Sequence, residues 1–441
     1  MASNDNAGAG ITPNRIGIIA EYNPFHGGHA HQIDVLKKRF PDADIVIFMS
    51  GDFVQRGEPA IVSGYCRAKM AVKGGADIVL SPPVFASVSS AGEFAYFGIK
   101  SLLSAGCDAI SFGCEDPEIC DSIREIKDLA GYEKSDVYNT RIRESRKSGE
   151  SYPAARESAV RLSGIMPEDV LLKLQKPNNL LAFEYIRALC LLGQDENIRI
   201  IPVKRQGMDY HDDGEKASAD SREGAFFPSA EAVRKYIREG FGSQAGSSEI
   251  TKMPDAVLAP EKTSLSENGA YILKEYLDRY RPVFADDLSE MLFYKLAATD
   301  TDRLISIRDC GKQTANRIKK LLPDYKSFSQ FTGILKSKDV TYTRMSRVLI
   351  NILLDIRQIP VELPYMYVMA CRSDKRYIIS DIKSRLYCPL MVTGRDADSI
   401  ANEAYIYHRT DIMAHDIHAF LSKKEGGESP PGMFRDYIFF P

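Results

Sequence analysis

The sequence predicts an α/β fold, with a parallel β-sheet in the first half of the chain and a mostly helical second half. Short apolar runs alternate with segments of helical periodicity up to Val203, as in βαβ units with right-handed crossovers. The chain has 441 residues, so two or three domains are expected. Its hydrophobic content of 44% and charged content of 27% are ordinary for a globular protein.

The first four predicted strands are short apolar runs separated by helices. Residues 16–20, for example, are apolar on both faces, as expected of a strand that helices cover on both sides of a sheet. The predicted strands are residues 16–20, 44–49, 76–80 and 107–112, and the helices between them are residues 30–40, 65–73 and 93–103.

The middle of the chain interrupts this pattern and then resumes it. Residues 118–164 are helical and charged, which is typical of an insertion, and a helix at 179–192 and a strand at 198–203 follow. Polar residues 212–226 predict a mobile loop, and a helix begins near Ser229. Glycine, serine and glutamine at 240–249 indicate a linker. We therefore predict a disordered leader at 1–14, a first domain at 15–240 and a second domain at 250–441.

The predicted second domain is mostly helical. Its helices are expected at residues 264–280, 286–298, 311–322 and 343–358, and apolar runs at 365–370 and 377–379 predict a few strands.

Charge and cysteine usage narrow the class of protein. The formal net charge of −3 argues against a uniformly basic surface for nucleic acid, although a local basic face is compatible with it. The eight cysteines form no CxxC pair, which predicts reduced structural thiols in a reducing cytosol. No run approaches the ~20 apolar residues that a membrane span needs. These observations predict a cytoplasmic protein.

The strongest motif is Asn23-Pro24-Phe25-His26-Gly27-Gly28-His29, which lies between the first strand and the first helix. Ligands of open α/β sheets bind at the carboxyl ends of strands, where helix N-termini attract phosphate. His26 and His29 are three positions apart, so they face the same way on the first helical turn. Two imidazoles there suit the charge that develops when a triphosphate is attacked at its α-phosphorus. The alternative is a pair of histidines that only caps a helix.

This HxGH motif resembles the signature of the nucleotidyltransferases and class I aminoacyl-tRNA synthetases, which implies a Rossmann-like domain. That superfamily usually has a second phosphate-binding turn at the start of a later helix. Here Ser229 would cap such a helix, and Arg234 would face the leaving pyrophosphate. His26, His29, Ser229 and Arg234 are thus the predicted catalytic residues.

Further segments resemble the tRNA(Met) cytidine acetate ligase family. They are residues 20–26 (AEYNPFH), 49–60 (MSGDFVQRGEPA), 111–115 (SFGCE), 176–179 (KPNN) and 203–205 (VKR), with a weaker match at 336–347. The resemblance implies an enzyme that activates acetate with ATP as acetyl-adenylate. The acetyl group would then pass to N4 of the wobble cytidine of elongator tRNA(Met).

The resemblance also implies an ATP pocket. Its residues would be Ile19, Ala20, Glu21, Tyr22, Asn23, Pro24, Phe25, His26, Gly28, His29, Gln32, Gly113, one of the pair Asn178 and Asn179, and Arg205. Two positions depart from the family pattern. Gly27 stands where the family usually has Asn, and Ser81 stands where a carboxylate is expected. Mg²⁺ is expected to accompany ATP, with ligands supplied mostly by the phosphates.

A basic segment with one aromatic residue is the candidate RNA contact. Basic groups neutralise phosphates, and an aromatic ring can stack on an unstacked base. The predicted residues are Lys336, Lys338, Tyr342, Arg344 and Arg347, together with Arg56 after the second strand. Arg56 and Gln55 are also compatible with acetate or phosphate binding or with a solvated loop. His211 would position the cytidine, act as a base, or only order its loop.

Two other functions remain open at this point. One is a small-molecule nucleotidyltransferase that moves AMP or CMP to a phosphorylated acceptor. It needs no long C-terminal domain, whereas about 200 residues follow Gly240 here. The other is a nucleotide-binding regulatory module, which would not need His26, His29 and Arg234 around a leaving pyrophosphate.

Overall fold

The computed structural model describes residues 12–148, 152–205, 229–242, 258, 265–434 and 438–441. The predicted loop at 212–226, His211, most of the leader and most of the linker lie outside these residues.

An eight-stranded sheet forms the centre of the fold. Its strand order is β10-β8-β5-β2-β1-β6-β7, with β9 paired to β8, and β3 and β4 form a separate hairpin. The strands are β1 (Arg15–Ala20), β2 (Asp44–Met49), β3 (Phe53–Val54), β4 (Glu58–Pro59), β5 (Ile78–Ser81), β6 (Ala109–Cys114), β7 (Arg199–Lys204), β8 (Met366–Arg372), β9 (Leu390–Met391) and β10 (Phe439–Phe440).

The structure contains the following helices. They are α1 (Gly27–Arg39), α2 (Gly64–Lys73), α3 (Val84–Ser87), α4 (Ala91–Ser104), α5 (Ile123–Tyr132), α6 (Asp136–Lys147), α7 (Tyr152–Ser163), α8 (Glu168–Lys173), α9 (Pro177–Leu191), α10 (Ala230–Gly242), α11 (Glu267–Arg279), α12 (Ser289–Ala298), α13 (Thr301–Ile305), α14 (Lys312–Leu321), α15 (Phe328–Leu335), α16 (Tyr342–Leu353), α17 (Tyr377–Arg385) and α18 (Tyr405–Ser422).

The parallel part of the sheet is as predicted. Strands β5, β2, β1, β6 and β7 run parallel to one another. All residues of β2 are buried, as the continuous apolar run required. The predicted α/β fold with a mostly parallel sheet is therefore confirmed, and so is the helical character of residues 118–164.

The end of the chain extends this sheet instead of standing apart from it. Strand β8 pairs with β5 in antiparallel fashion, and β9 and β10 pair with β8. The boundary between 15–240 and 250–441 stays a prediction, but the last strands share the core of the first half.

One sequence prediction in this region is right and one is wrong. The run at 365–370 forms β8. The run at 377–379 forms the start of helix α17, because Ile378 and Ile382, four residues apart, are both buried on one helical face. Across the described ranges, no helix is long and apolar enough to cross a membrane.

Candidate active site

The two histidines of the motif cap helix α1 with their own side chains. His26 is the N-cap residue, and its Nδ1 accepts a hydrogen bond of 3.1 Å from the Gly28 N–H. The Nδ1 of His29 accepts one of 3.2 Å from the His26 N–H. Both Nδ1 atoms are therefore acceptors, which places the proton of each neutral imidazole on Nε2. The two rings stack with centroids 3.8 Å apart.

Both imidazoles are neutral at physiological pH. Burial, together with the nearby cations Arg205 and Arg234, lowers the pKa of His26 to about 3. Burial also holds the pKa of His29 well below its usual 6.5, and so do His26 and Arg205. The site thus presents two uncharged N–H donors together with two permanent cations, a combination that suits a polyphosphate.

Helix α10 brings a distant arginine to the motif. The Oγ of Ser229 accepts a hydrogen bond of 3.2 Å from the Ala232 N–H and so caps the helix start. One turn later, Arg234 donates a hydrogen bond of 2.7 Å to the Asn23 carbonyl. The predicted second phosphate element thus lies against the first.

The turn between β1 and α1 is buried and tightly held. The Oδ1 of Asn23 accepts a hydrogen bond of 2.8 Å from the Ile61 N–H. Phe25 is buried, packs edge-on against Tyr22, and lies 5.7 Å from the His29 ring. Tyr22 adopts a φ of 47°, in the left-handed region. Gly27 occupies the first position of α1 and is buried. These contacts hold the turn between β1 and α1 in a defined conformation.

Strand β6 and helix α9 form another side of the candidate site. The Nε2 of Gln32 donates a hydrogen bond of 3.1 Å to the Ser111 Oγ. Two residues further, a Cβ built on Gly113 would lie 3.5 Å from the Arg205 Cγ. Arg205 also donates a hydrogen bond of 3.3 Å to the Asn178 Oδ1. These predicted residues therefore meet at one edge of the sheet.

Asn178 and Asn179 have different surroundings. Asn179 is fully buried, and its Oδ1 accepts the N–H groups of Glu115 and Asp116, both at 3.0 Å. Its Nδ2 donates to the Asp116 carboxylate at 2.6 Å. Asn179 therefore holds this loop in place. Asn178 is the member of the pair that contacts Arg205.

Sequence reasoning missed two residues that build the site. Arg67 is completely buried and donates to the carbonyls of Glu21, Ser50 and Gly51, which follow β1 and β2. Glu115 accepts from the backbone N–H groups of Asn178 and Asn179, at the start of α9. The sequence carried no clear signal for the first, since α2 also contains Lys69 and Lys73. Glu115 lies within a motif segment but carried no signal of its role.

A carboxyl group from a distant part of the chain lies near the strand end at Ser81. Ser81 is buried and pairs with Tyr367 of β8. Just past this strand end, the Oδ1 of Asp411 on α18 accepts a hydrogen bond of 2.7 Å from the Val84 N–H, and its Oδ2 accepts one of 2.6 Å from the Tyr367 hydroxyl. Burial raises the pKa of Asp411 to about 7. A carboxyl group therefore lies near this strand end, supplied by a helix and not by the strand.

Some of the predicted RNA-contact residues lie at the β3–β4 hairpin or on the helix that contacts it. The Ser346 Oγ donates to the Gly57 carbonyl at 2.8 Å, and Arg347 donates to the Gln55 carbonyl at 3.5 Å. Arg56 lies in the same hairpin. Tyr342 and Arg344 are exposed on the first turn of α16, and Lys336 and Lys338 are exposed on the loop before it. The structure thus brings helix α16, which carries Arg344 and Arg347, against the hairpin that carries Arg56.

Comparison with known proteins agrees with this geometry. The model of the family described as HIGH Nucleotidyl Transferase matches residues 14–429. A protein of Fervidobacterium nodosum named tRNA(Met) cytidine acetate ligase is 31% identical and aligns over 92% of this chain and 94% of its own. One of Ligilactobacillus salivarius with the same name is 30% identical over 93% and 97%.

The chain belongs to the tRNA(Met) cytidine acetate ligase family. Solved structures share its fold. Thermotoga maritima TmcAL bound with alpha-thio ATP matches with a TM-score of 0.77 at 23% identity, covering 94% of this chain and 96% of that one. The apo form I of the same protein matches with a TM-score of 0.81 at 24% identity, covering 97% and 99%.

Membership of the ligase family confirms the resemblance seen in the sequence. The roles of individual residues stay predictions, because family membership does not assign them. The structure brings His26, His29, Arg205 and Arg234 together at the carboxyl edge of the sheet, as a site for nucleotide would require. Ser229 caps the start of α10, the helix that carries Arg234.

Proposed function

We propose that this protein activates acetate with ATP as acetyl-adenylate and transfers the acetyl group to N4 of the wobble cytidine of elongator tRNA(Met). The observation that supports this most directly is the convergence of Arg234, Arg205 and the neutral His26–His29 pair on one strand end. The names of the relatives supply the acid and the RNA.

Activation is a displacement at the α-phosphorus of ATP. An acetate oxygen forms the new P–O bond, and the bond to pyrophosphate breaks. The imidazole N–H groups of His26 and His29 would donate to the α-phosphate, whose negative charge shifts during the attack. Arg205 and Arg234 would neutralise the triphosphate and then the departing pyrophosphate. The chain thus acts by positioning and charge stabilisation, with no covalent intermediate on a side chain.

Mg²⁺ is part of the proposal as the partner of ATP. Within the ranges that the structure describes, no group of three or more His, Cys, Asp or Glu side chains converges as metal ligands. The ligands of the ion would be mostly phosphate oxygens and water. It would neutralise phosphate charge during pyrophosphate departure.

Transfer requires the tRNA to reach the adenylate. The basic residues Arg56, Lys336, Lys338, Arg344 and Arg347 would contact RNA phosphates, and the exposed ring of Tyr342 would stack on a base near the anticodon. The loop at 212–226 and His211 lie outside the described residues and have no part in this argument. A cytoplasmic location belongs to the proposal, since the substrate is a tRNA.

The test is incorporation of radiolabelled acetate into bulk tRNA with and without ATP, followed by nucleoside analysis. ATP-dependent label in N4-acetylcytidine of tRNA(Met) supports the proposal. Acetate-dependent exchange between ATP and labelled pyrophosphate, without tRNA, reports the first step alone. Label transfer to another acceptor, or no exchange, would contradict the proposal.

A further inference from the structure

Glu58 lies between the nucleotide turn and helix α16. Its Oε1 is 3.9 Å from the guanidinium of Arg234, which itself donates to the Asn23 carbonyl. The side chain is 30% exposed, so it is not fully enclosed by the protein. The group therefore lies beside the arginine that contacts the turn of His26 and His29, and it stays partly exposed.

The same hairpin fixes Glu58 against the helix that begins with Tyr342. The preceding residue, Gly57, accepts from the Ser346 Oγ at 2.8 Å, and a Cβ at Gly57 would lie only 2.4 Å from the Arg347 backbone N. The charge of Glu58 is close enough to raise the pKa of Tyr342, behind the larger effects of burial and Asp286. Glu58 thus lies between Arg234, proposed to act in acetate activation, and Tyr342, proposed to contact the tRNA.

We propose that Glu58 is the general base of the acetyl-transfer step. The inference rests on the proposed function. The N4 amine of cytidine is a weak nucleophile, because its lone pair is delocalised into the ring. It attacks the acetyl carbonyl, the N4–C bond forms, and the bond from that carbon to the AMP oxygen breaks. The Glu58 carboxylate takes the N4 proton, and the electron pair leaves with AMP, so no further reactant is needed.

The surroundings of Glu58 suit this role. Burial raises the pKa of its carboxyl, and the acidic groups Glu21 and Glu231 raise it further, whereas Arg234 and Arg56 lower it. The pKa is thus raised above its usual 4.5, which makes the carboxylate a stronger base. The charged and titratable groups around Glu58 are Glu21 after β1, Glu231 and Arg234 on α10, Tyr342 on α16, and Arg56 in the hairpin itself.

The experiment separates the two half-reactions in Glu58→Gln. Acetate-dependent ATP–pyrophosphate exchange measures activation, and single-turnover transfer from preformed acetyl-adenylate to tRNA(Met) measures the second step. We expect transfer to fall by about 10²-fold or more, the usual contribution of a general base, with a far smaller change in exchange. The wild-type transfer rate should rise with pH through the pKa of Glu58, and this dependence should vanish in the variant.

Two further variants keep the test decisive. Glu58→Asp should restore part of the transfer rate and its pH dependence, which a merely structural role would not do. Glu239→Gln changes an exposed carboxylate on the same helix as Arg234, and it should leave both steps unchanged.

Three outcomes would overturn the inference. The first is a transfer rate in Glu58→Gln equal to that of the wild type. The second is an equal loss of exchange and of transfer in that variant. The third is a pH profile of transfer in that variant that matches the wild-type profile. If Glu58→Gln fails to fold, Glu58→Asp and the wild-type pH profile decide in its place. Absence of acetate-dependent exchange in the wild type would remove the proposed function itself, which is a separate result.

Discussion

Arg234 donates a hydrogen bond of 2.7 Å to the backbone carbonyl of Asn23, although 211 positions separate the two residues. This contact places a permanent cation on the turn that carries both histidines. It also ties helix α10 to the end of β1. The proposed nucleotide site therefore depends on a tertiary contact between residues that are far apart in the sequence.

Replacing Arg234 by Ala should lower acetate-dependent ATP–pyrophosphate exchange by about 10²–10³-fold, because a charge that stabilises the departing pyrophosphate is lost. Lys235→Ala, the exposed neighbour on the same helix, is the matched control and should retain activity. Equal exchange rates in the two variants would show that Arg234 does not act on the phosphates.

His29→Ala should abolish ATP-dependent activity and leave the fold close to normal. The variant loses an Nε2–H donor and the acceptor for the His26 N–H. Loss of such a capping acceptor costs ~1 kcal/mol of unfolding free energy. His31→Ala on the same helix is the control, and exchange and thermal unfolding are the measurements. A fully active His29→Ala enzyme would contradict the proposed site.

Acid should destabilise the free protein through His26. Its pKa in the fold, about 3, lies below the ordinary 6.5, so the unfolded chain binds a proton first as the pH falls. The stabilisation is complete above pH 6.5 and is lost progressively between 6.5 and about 3. Urea unfolding near pH 7 and near pH 5 should show a larger loss in the wild type than in His26→Gln. Equal losses would contradict the lowered pKa.

Gly57→Ala should weaken the packing of the hairpin on α16. Gly57 has a φ of +80°, and an added Cβ would lie 2.4 Å from the Arg347 backbone N. Gly164 has a φ of +67° with nothing within 4 Å of an added Cβ. Gly164→Ala should therefore show only the conformational cost of about 1 kcal/mol, and Gly57→Ala a clearly larger one. Similar unfolding free energies would show that the hairpin moves freely.

Asp52→Asn should destabilise the protein by ~3–5 kcal/mol, because it leaves a buried histidine without its charged partner. The Asp52 carboxylate lies 2.7 Å from the Nδ1 of His415 on α18. Beside Asp52, and despite burial, the pKa of His415 is raised to about 9, and the pKa of Asp52 is lowered from its usual 3.8.

The pH dependence of this pair has a definite sign. The stabilisation of the fold that is due to His415 is complete below pH 6.5 and is lost as the pH rises through about 9. The part due to Asp52 is present above pH 3.8 and is lost in acid. The difference in unfolding free energy between the wild type and Asp52→Asn should therefore shrink from about pH 6 to about pH 10. A constant difference would show that the pair is not ionised.

The sequence by itself determined the local elements, the parallel part of the sheet and the place of the nucleotide motif. These follow from interactions within a few residues. The apolar run of β2 is recognisable because both of its faces are buried, and the histidines cap α1 through contacts two and three residues apart. The resemblance of residues 20–26 and 49–60 to one family also needed no coordinates.

Only the tertiary structure decided which distant groups meet. Arg67 joins the ends of β1 and β2, Arg234 reaches Asn23, and Glu58 lies between the nucleotide turn and α16. The antiparallel pairing of β8 with β5 was equally invisible in the local pattern. The physical reason is that hydrophobic periodicity reports which face of an element is buried. It does not report which partner buries that face, since that depends on packing and ion pairing across the whole chain.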